Sequence, residues 1–336
     1  MLDNQKYFRL FSTCIPVKGA SVSRIMDLQR HASIEIPNLL FDILEKNDTH
    51  KLTISELKEV YGNKYNKGMD VFMTKLIDME IGFLTSTPEL FPELSKDYYT
   101  PFNLHTAIIC IDKESNYNLK KLVNVLIKEG CKSVQFRVFS VVDYHYFLNC
   151  LRLFTGSRVK VVEVIFDYHY QIEEFLAEFE NLDPRYFIYI LASEKTPKDI
   201  NRRISKKIDF RIGKLDEAQE EVVSSEYFIV NTMFYIESLK HNTGLNRKVS
   251  VDIEGNVKNH ISHSHSFGNL NSTSLYDILS LASFKEKWVI SNDDIYKCKD
   301  CQYRYMCINN SDLHIIDGEY HRLATCGFNP YRNEWE

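Results

Sequence analysis

A chain of 336 residues, 44% apolar and 13% aromatic, is long enough for two or three domains with sizeable cores. A net charge of −5 with no basic block argues against nucleic acid as the main partner. No apolar run approaches the roughly 20 residues that span a bilayer, and the start MLDNQKYFRLFSTC holds Asp3 and no long apolar stretch, unlike a secretory signal. The chain therefore reads as soluble and cytoplasmic, with no membrane partner.

Residues 1–95 read as one small unit. YFRLFSTCIPVKG breaks at Gly19 and reads as a strand, and VSRIMDLQRHASIEIP as a second β segment that ends at Pro37. NLLFDILEKN has helical spacing behind Asn38, a good N-cap residue. TISELKEVYG opens with Thr53 and places Glu56 three residues on, a capping box. NKGMDVFMTKLIDMEIGFLTSTP reads as a longer helix that runs into a short strand. Strands, helices and a closing strand make a winged-helix-like order. STPELFPELSKDYYTPFN reads as a linker.

Residues 103–238 alternate apolar strands with amphipathic helices: HTAIICID, YNLKKLVNVLIKEG, SVQFRVFS, VVDYHYFLNCLRLFTG, VKVVEVIFDYH, QIEEFLAEFENLDP and RYFIYILAS. DFRIGKL and YFIVNTMFYI are further candidate strands. The alternation predicts a parallel sheet with crossover helices, an α/β fold with the look of a partial β/α barrel. Polar residues at the C-terminal ends of barrel strands gather in one cleft. Here those are Asp112, Arg137, Asp167, His169 and Glu194, as candidate ligand-binding or catalytic groups or as a structural ion network. In residues 239–336 the alternation stops. RKVSVDIEGNVKNH reads as a hairpin that turns at Glu254-Gly255, and TSLYDILSLASFKEKW as a capped helix.

Of eight cysteines, Cys14, Cys110, Cys131 and Cys150 lie scattered in apolar surroundings and read as buried, inert thiols. The other four are clustered: Cys298-x2-Cys301-x5-Cys307-x18-Cys326. In a reducing compartment such a cluster is a metal-ligand set before it is a disulfide framework. Four thiolates suit a [4Fe–4S] cluster or, alternatively, zinc. Lys299 and Arg304 are placed to offset thiolate charge. A run of His260, His263 and His265, with His241 upstream, is a candidate second metal site, since imidazole suits zinc.

CKDCQYRYMC, KHNTGLNRKVSVDIEGNVKN, SFGNL and the ending CGFNPYRNEWE together resemble the SPASM-domain peptide maturases of grasp-with-spasm systems. The likeness covers most of the chain and is strongest after residue 235. It implies an outer auxiliary [4Fe–4S] cluster at Cys298, Cys301, Cys307 and Cys326. It also implies a precursor peptide bound through its leader, and an ATP-grasp ligase as partner. Such proteins cleave S-adenosylmethionine with a C-x3-C-x2-C triad after the first barrel strand. Here only Cys110 stands at that place, with Glu114 and Tyr117 at the other two spacings. The expectation is radical SAM architecture without S-adenosylmethionine chemistry. A peptide-modifying enzyme that uses the auxiliary cluster, or an atypical radical SAM site, is the alternative. At the inner auxiliary cluster of the family, His241, His260 and Ser311 replace expected thiolates. The N-terminal unit resembles a leader-recognition module that adds the peptide to a sheet edge, with Ser23 read as an edge position and TKLIDMEIGFL as the facing helix.

Overall fold

The computed structural model describes residues 2–62, 65–192, 206–215, 223–324 and 326–335. The N-terminal part runs β1 (Tyr7–Leu10), β2 (Cys14–Val17), β3 (Ser23–Asp27), β4 (Ala32–Ile36), α1 (Asn38–His50), α2 (Ile54–Tyr61), α3 (Asn66–Asp78) and β5 (Gly82–Thr85). β1 and β5 form an antiparallel ribbon, and β2, β3 and β4 form a three-stranded sheet in that order. One core joins them, with Phe8, Ile25, Leu40, Ile54 and Met73 packed together. The Thr53–Glu56 capping box starts α2 as its sequence predicts. Asn38 does not cap α1, whose N-cap is Pro37. Its amide instead ties the sheet's turn: Nδ2 donates to Gly19 O and Ala20 O, and Oδ1 accepts from Ser23 Oγ at 2.6 Å.

Register decides which edge of this sheet is open. Leu28 N donates to Thr13 O, and Cys14 faces Asp27, so residues 24, 26 and 28 bond towards β2. Residues 23, 25 and 27 then bond towards β4, where they face Ile36, Ile34 and Ala32. Ser23 is thus a central-strand residue, fully buried, and not an edge position. On β4 the main-chain groups of Ser33 and Glu35 point outward. On the opposite edge β2 has little to offer. Pro16 lacks an N–H, and the Cys14 N–H is taken by Phe11 O.

The second part is a seven-stranded sheet in the order β10-β9-β8-β7-β6-β11-β12. Its strands are β6 (Thr106–Ile111), β7 (Ser133–Val138), β8 (Val161–Asp167), β9 (Tyr186–Ala192), β10 (Ile208–Ile212), β11 (Lys248–Val251) and β12 (Val257–Lys258). All neighbours are parallel except the β11–β12 hairpin. The protein is therefore mixed α/β. Between the strands lie α4 (Leu119–Lys128), α5 (Tyr144–Arg152) and α6 (Leu176–Glu180). α7 (Thr232–Ser238) precedes β11, and α8 (Leu275–Ser280) and α9 (Ala282–Lys285) follow β12. Strands pair in chain order from β6 to β10. Alternate residues such as Ile109, Phe136, Val164 and Ile188 meet Leu122, Leu148, Phe179 and Ile278 of α4, α5, α6 and α8 in one core. From β6 to β10 the order does not reverse and α4, α5 and α6 lie on one face, the arrangement that crossovers of a single hand produce, until β11 returns to the far side of β6. The stretch YFIVNTMFYI, read as a strand, is helical from Thr232 because Asn231 Oδ1 accepts from Phe234 N at 2.9 Å. TSLYDILSLASFKEKW is broken into α8 and α9, the first capped by Ser274. Two ribbons close the chain: β13 (Leu313–Ile316) with β14 (Glu319–Arg322), and β15 (Phe328–Asn329) with β16 (Glu334–Trp335). No helix among the described residues is long and apolar enough to cross a membrane.

Where the linker meets the sheet, His105 Nδ1 lies 3.6 Å from Glu237 Oε1, and Nε2 lies 3.3 Å from Thr100 Oγ1 and 3.4 Å from Tyr98 Oη. Burial, then the charges of Lys132, Arg247 and Lys248, pushes His105 down to about 4. The folded form keeps it neutral while the unfolded chain takes up a proton below its ordinary 6.5. Its contribution is complete above 6.5 and is lost as pH falls towards 4. Glu237, raised by burial, acts with the opposite sign.

Two substitutions test this description. Ser23→Pro removes a central ladder donor and leaves a buried acceptor unpaired, which should lower stability by about 1–3 kcal/mol in urea unfolding. His105→Gln should flatten the fall in urea midpoint between pH 6.5 and 4; an unchanged pH profile would show that His105 is not the titrating group.

Candidate functional site

The cysteine loop is built from tight turns. Cys301 N donates to Cys298 O at 3.0 Å and Arg304 N to Cys301 O at 3.2 Å, so the C-x2-C stretch coils back on itself. Two main-chain donors face sulfur: Tyr303 N at 3.4 Å from Cys301 Sγ and Phe328 N at 3.5 Å from Cys326 Sγ. Thr243 Oγ1 donates to Cys307 O at 3.0 Å. The backbone of Gly244 approaches Asn309 so closely that a Cβ there would collide with its carbonyl, which requires glycine in the NTGLN stretch.

The four thiols share one field. Burial raises Cys307, and Cys298, Cys301 and Cys326 each raise it further. Burial pushes Cys301 up to about 12, and Cys298 and Cys326 again add to the rise. Cys298 is raised by burial and drawn back by the Arg322 guanidinium. All eight cysteines are free thiols. By surface area the four clustered ones are only half-buried, yet burial is the leading cause of the rise at Cys298, Cys301 and Cys307. Both hold for thiols that line a recess beneath the surface. No group of three or more His, Cys, Asp or Glu among the described residues is arranged to hold a metal ion. Electrostatic influence reaches farther than a coordination shell, so the thiols are neighbours without being drawn onto one point.

Arg322 on β14 is one of the cations that act on these thiols, with Lys297 at Cys298 and Arg304 at Cys301. It donates to Asn309 O at 2.8 Å, Ser311 O at 3.3 Å and Asn292 Oδ1 at 2.9 Å. Its Nε is buried with no partner in full hydrogen-bond geometry. Of the two cations expected from the sequence, Arg304 draws the Cys301 thiol back against its burial. Lys299 pairs with Glu319 at 2.6 Å on the surface, and Arg304 with Asp293 at 2.8 Å. Arg322 precedes Cys326 by four residues, a closeness that could have drawn attention to it. The β13–β14 hairpin that carries it in is less visible in sequence.

The loop is also an interface. Tyr303, Tyr305 and Met306 pack with Val17, Met26 and Leu28 of the N-terminal part and with Val230, Tyr235 and Ile236 around α7. The Arg24 guanidinium lies 5.0 Å over the Tyr303 ring. Ala20 N donates to Asp300 O at 2.8 Å, and Arg304 donates to Lys18 O. Asn333 Nδ2 reaches Glu35 Oε2 at 3.2 Å.

The histidines divide. His260 and His263 are buried with ring centroids 5.9 Å apart. His263 Nε2 lies 2.8 Å from Asn310 O, and burial pushes the ring down to about 4. His265 is exposed against Phe267. The His241 ring packs tilted against Tyr98 with centroids 5.2 Å apart, and burial lowers its pKa. Ser311 lies in the segment between the loop and β13, and its Oγ accepts from Ala324 N at 2.8 Å.

Of the polar strand-end residues, Asp112, Arg137, Asp167 and His169 come to the C-terminal edge of the sheet, as its parallel strands require. Asp112 Oδ1 accepts from Glu114 N and Ser115 N at 2.8 and 2.9 Å, a local turn. Asp167 Oδ1 accepts from Leu215 N at 2.9 Å. Arg137 lies inside β7, buried, with Nε donating to Gln135 Oε1 at 2.8 Å. The Nε2 atom of His169 is buried without a partner. Glu194 lies outside the described residues. Cys110 is fully buried within β6 and packs with Ile108 and Ile261, while Glu114 is exposed and the buried Tyr117 donates to Cys110 O at 2.7 Å. Cys14, Cys131 and Cys150 are buried too, as expected.

Tyr303→Ala should leave the parallel sheet folded and weaken the packing of β2–β4 on the loop. Removal of a partly buried aromatic costs roughly 2–3 kcal/mol, so protease should cut residues 12–36 sooner than in the parent chain. Cleavage at the parental rate would mean that the loop does not hold the N-terminal sheet.

No protein-family model, no curated protein and no solved structure matches this chain.

Proposed function

We propose that the chain is a maturation protein for ribosomally made peptides, similar to the SPASM-domain maturases of grasp-with-spasm systems. In this reading residues 1–95 capture the leader of a precursor peptide, residues 103–238 are a partial β/α barrel, and residues 239–336 are a SPASM-like metal-binding domain. The observation that carries it is the four-thiol recess packed beneath a three-stranded sheet with one open edge.

Soft thiolates, N–H donors on two sulfurs and the Arg322 guanidinium beside Cys298 suit an anionic iron–sulfur cluster, whose properties depend on hydrogen bonds to sulfur. Cys298, Cys301, Cys307 and Cys326 would hold a [4Fe–4S] cluster, with zinc as the alternative occupant. When bound, the group supplies folding energy and a redox-capable or Lewis-acidic centre. Arg322 offsets its charge on the Cys298 side. Cys298, Cys301 and Cys307, raised by burial, must give up protons to bind it.

The leader is added as a strand to β4, where the outward N–H groups of Ser33 and Glu35 and the Glu35 C=O supply the ladder, Ser33 O already accepting from Arg24 Nη2 at 3.4 Å. β2 is excluded by Pro16. An ATP-grasp ligase then acts on the presented peptide. S-adenosylmethionine cleavage is absent from this reading, because the three triad positions hold a strand-buried thiol, an exposed carboxylate and a core tyrosine. A second reading, a peptide-modifying enzyme, is favoured by one observation: Arg137 is a buried cation whose Nη1 has no partner.

The test is anaerobic reconstitution followed by metal analysis, assay for 5′-deoxyadenosine and titration with the leader. The reading expects iron, or zinc in its place, at one centre per chain, lost in Cys301→Ala. It expects no 5′-deoxyadenosine, and leader binding near ~1 μM, roughly −8 kcal/mol. Glu35→Pro should weaken that binding about tenfold without unfolding the sheet. Neither metal, or multiple-turnover 5′-deoxyadenosine that depends on Cys110, would overturn it.

A further inference from the structure

At the opposite end of the sheet from the strand-end carboxylates, a groove of about 450 Å³ opens between the end of α4, the α8–α9 segment and the turn before β11. Its wall includes His241, Arg247, Leu279, Lys285 and Trp288. Trp288 is 8% exposed, and its indole Nε1 is buried without a hydrogen-bond partner. The Nδ2 of Asn242 is partnerless too, and the Asn242 backbone N donates to Trp288 O at 2.9 Å, a carbonyl the His241 ring also approaches. Buried nitrogens without partners are uncommon because each forfeits its hydration. Two stand together here. An indole N–H only donates, so whatever satisfies Trp288 must bring an acceptor.

The charges around the groove say which kind. The Lys285 ammonium lies 5.8 Å over the Trp288 ring, and Lys128 lies 5.6 Å over the neighbouring Tyr276 ring. Arg247 lines the groove and donates from Nη1 to Phe102 O at 2.9 Å. Glu129 is the one acid in the lining, and its Oε2 is engaged by Asn103 Nδ2 at 3.4 Å. Leu279 and the indole face add an apolar floor. We propose that this groove is a binding site for a carboxylate with an apolar body: the carboxylate takes the Trp288 N–H and the Lys285 and Arg247 charges, and the body lies along Leu279 and Trp288. The Lys285 side chain, on an exposed position, swings from the ring to admit it. The proposal is independent of the cysteine recess, and a free small acid and the C-terminus of a peptide share the required chemistry.

The chain has two tryptophans, Trp288 and Trp335, so tryptophan labelled with ¹⁵N gives two indole N–H signals, assigned with Trp335→Phe. The full-length protein is titrated with 3-phenylpropionate, with its amide, and with a short peptide ending in Phe as free acid or as amide. The expected result is a saturable shift of the Trp288 signal with the acids, at least tenfold weaker with the amides, and a loss of about tenfold in affinity in Lys285→Ala. A shift with the small acid identifies a free metabolite as sufficient; a shift with the peptide acid alone identifies a chain end as the source. Trp288→Phe keeps the ring, removes the donor and should weaken acid binding several-fold. A Trp288 signal indifferent to every probe, or equal response to acid and amide, overturns the proposal and leaves ordered water as the partner of these nitrogens.

Discussion

The structure depends on one interface: the cysteine loop packed against the N-terminal three-stranded sheet. The loop's own secondary structure is only turns, so little within it fixes its shape. Tyr303, Tyr305 and Met306 are held because Val17, Met26 and Leu28 meet them from one side and Val230, Tyr235 and Ile236 from the other. Each buried apolar side chain of that kind contributes about 1.5–3 kcal/mol, and the Arg24 stack on Tyr303 adds roughly 1 kcal/mol. The same contacts bring the thiols to one recess and place the open β4 edge beside the C-terminal ribbon through Asn333 and Glu35. Whatever binds at the thiols and whatever pairs with β4 therefore share one set of packed residues.

The parallel sheet supplies the frame. Its strands follow chain order from β6 to β10 with α4, α5 and α6 on one face, and β11 returns to the other side of β6. The Thr243–Gly244 turn leaves that frame and grips the cysteine loop at Cys307 and Asn309. His263 does the same from the β12 side by its contact with Asn310 O. A histidine that looks like metal chemistry in the sequence thus helps position the segment that follows the cysteines.

Local features are legible in the amino-acid sequence alone. The Thr53–Glu56 box, the β/α alternation from β6 to β9 and the β11–β12 hairpin each rest on contacts within a few residues or on a simple period. What the sequence hides depends on distant partners. Ser23 looks like an edge residue until β4 covers it. Asn38 has the chemistry of a cap but spends it on Gly19 and Ala20. Aromatic residues make Thr232–Ser238 look like a strand, although Asn231 stands where a helix cap belongs. At the site, the cysteine spacing is evident because ligand spacing is local, whereas Arg322 enters through a hairpin. Among the histidines, His260 and His263 are close in sequence and remain so in space, while His241 joins the linker at Tyr98.

The central claim is that filling the thiol recess tightens the N-terminal sheet on the cysteine loop. Amide hydrogen exchange on β2–β4 tests it most directly, in anaerobically reconstituted protein against protein stripped by chelator. The account predicts slower exchange at residues 14–36 in the loaded form, with β6–β9 unchanged. Equal exchange of residues 14–36 in the two forms, with metal shown to be bound, would contradict it.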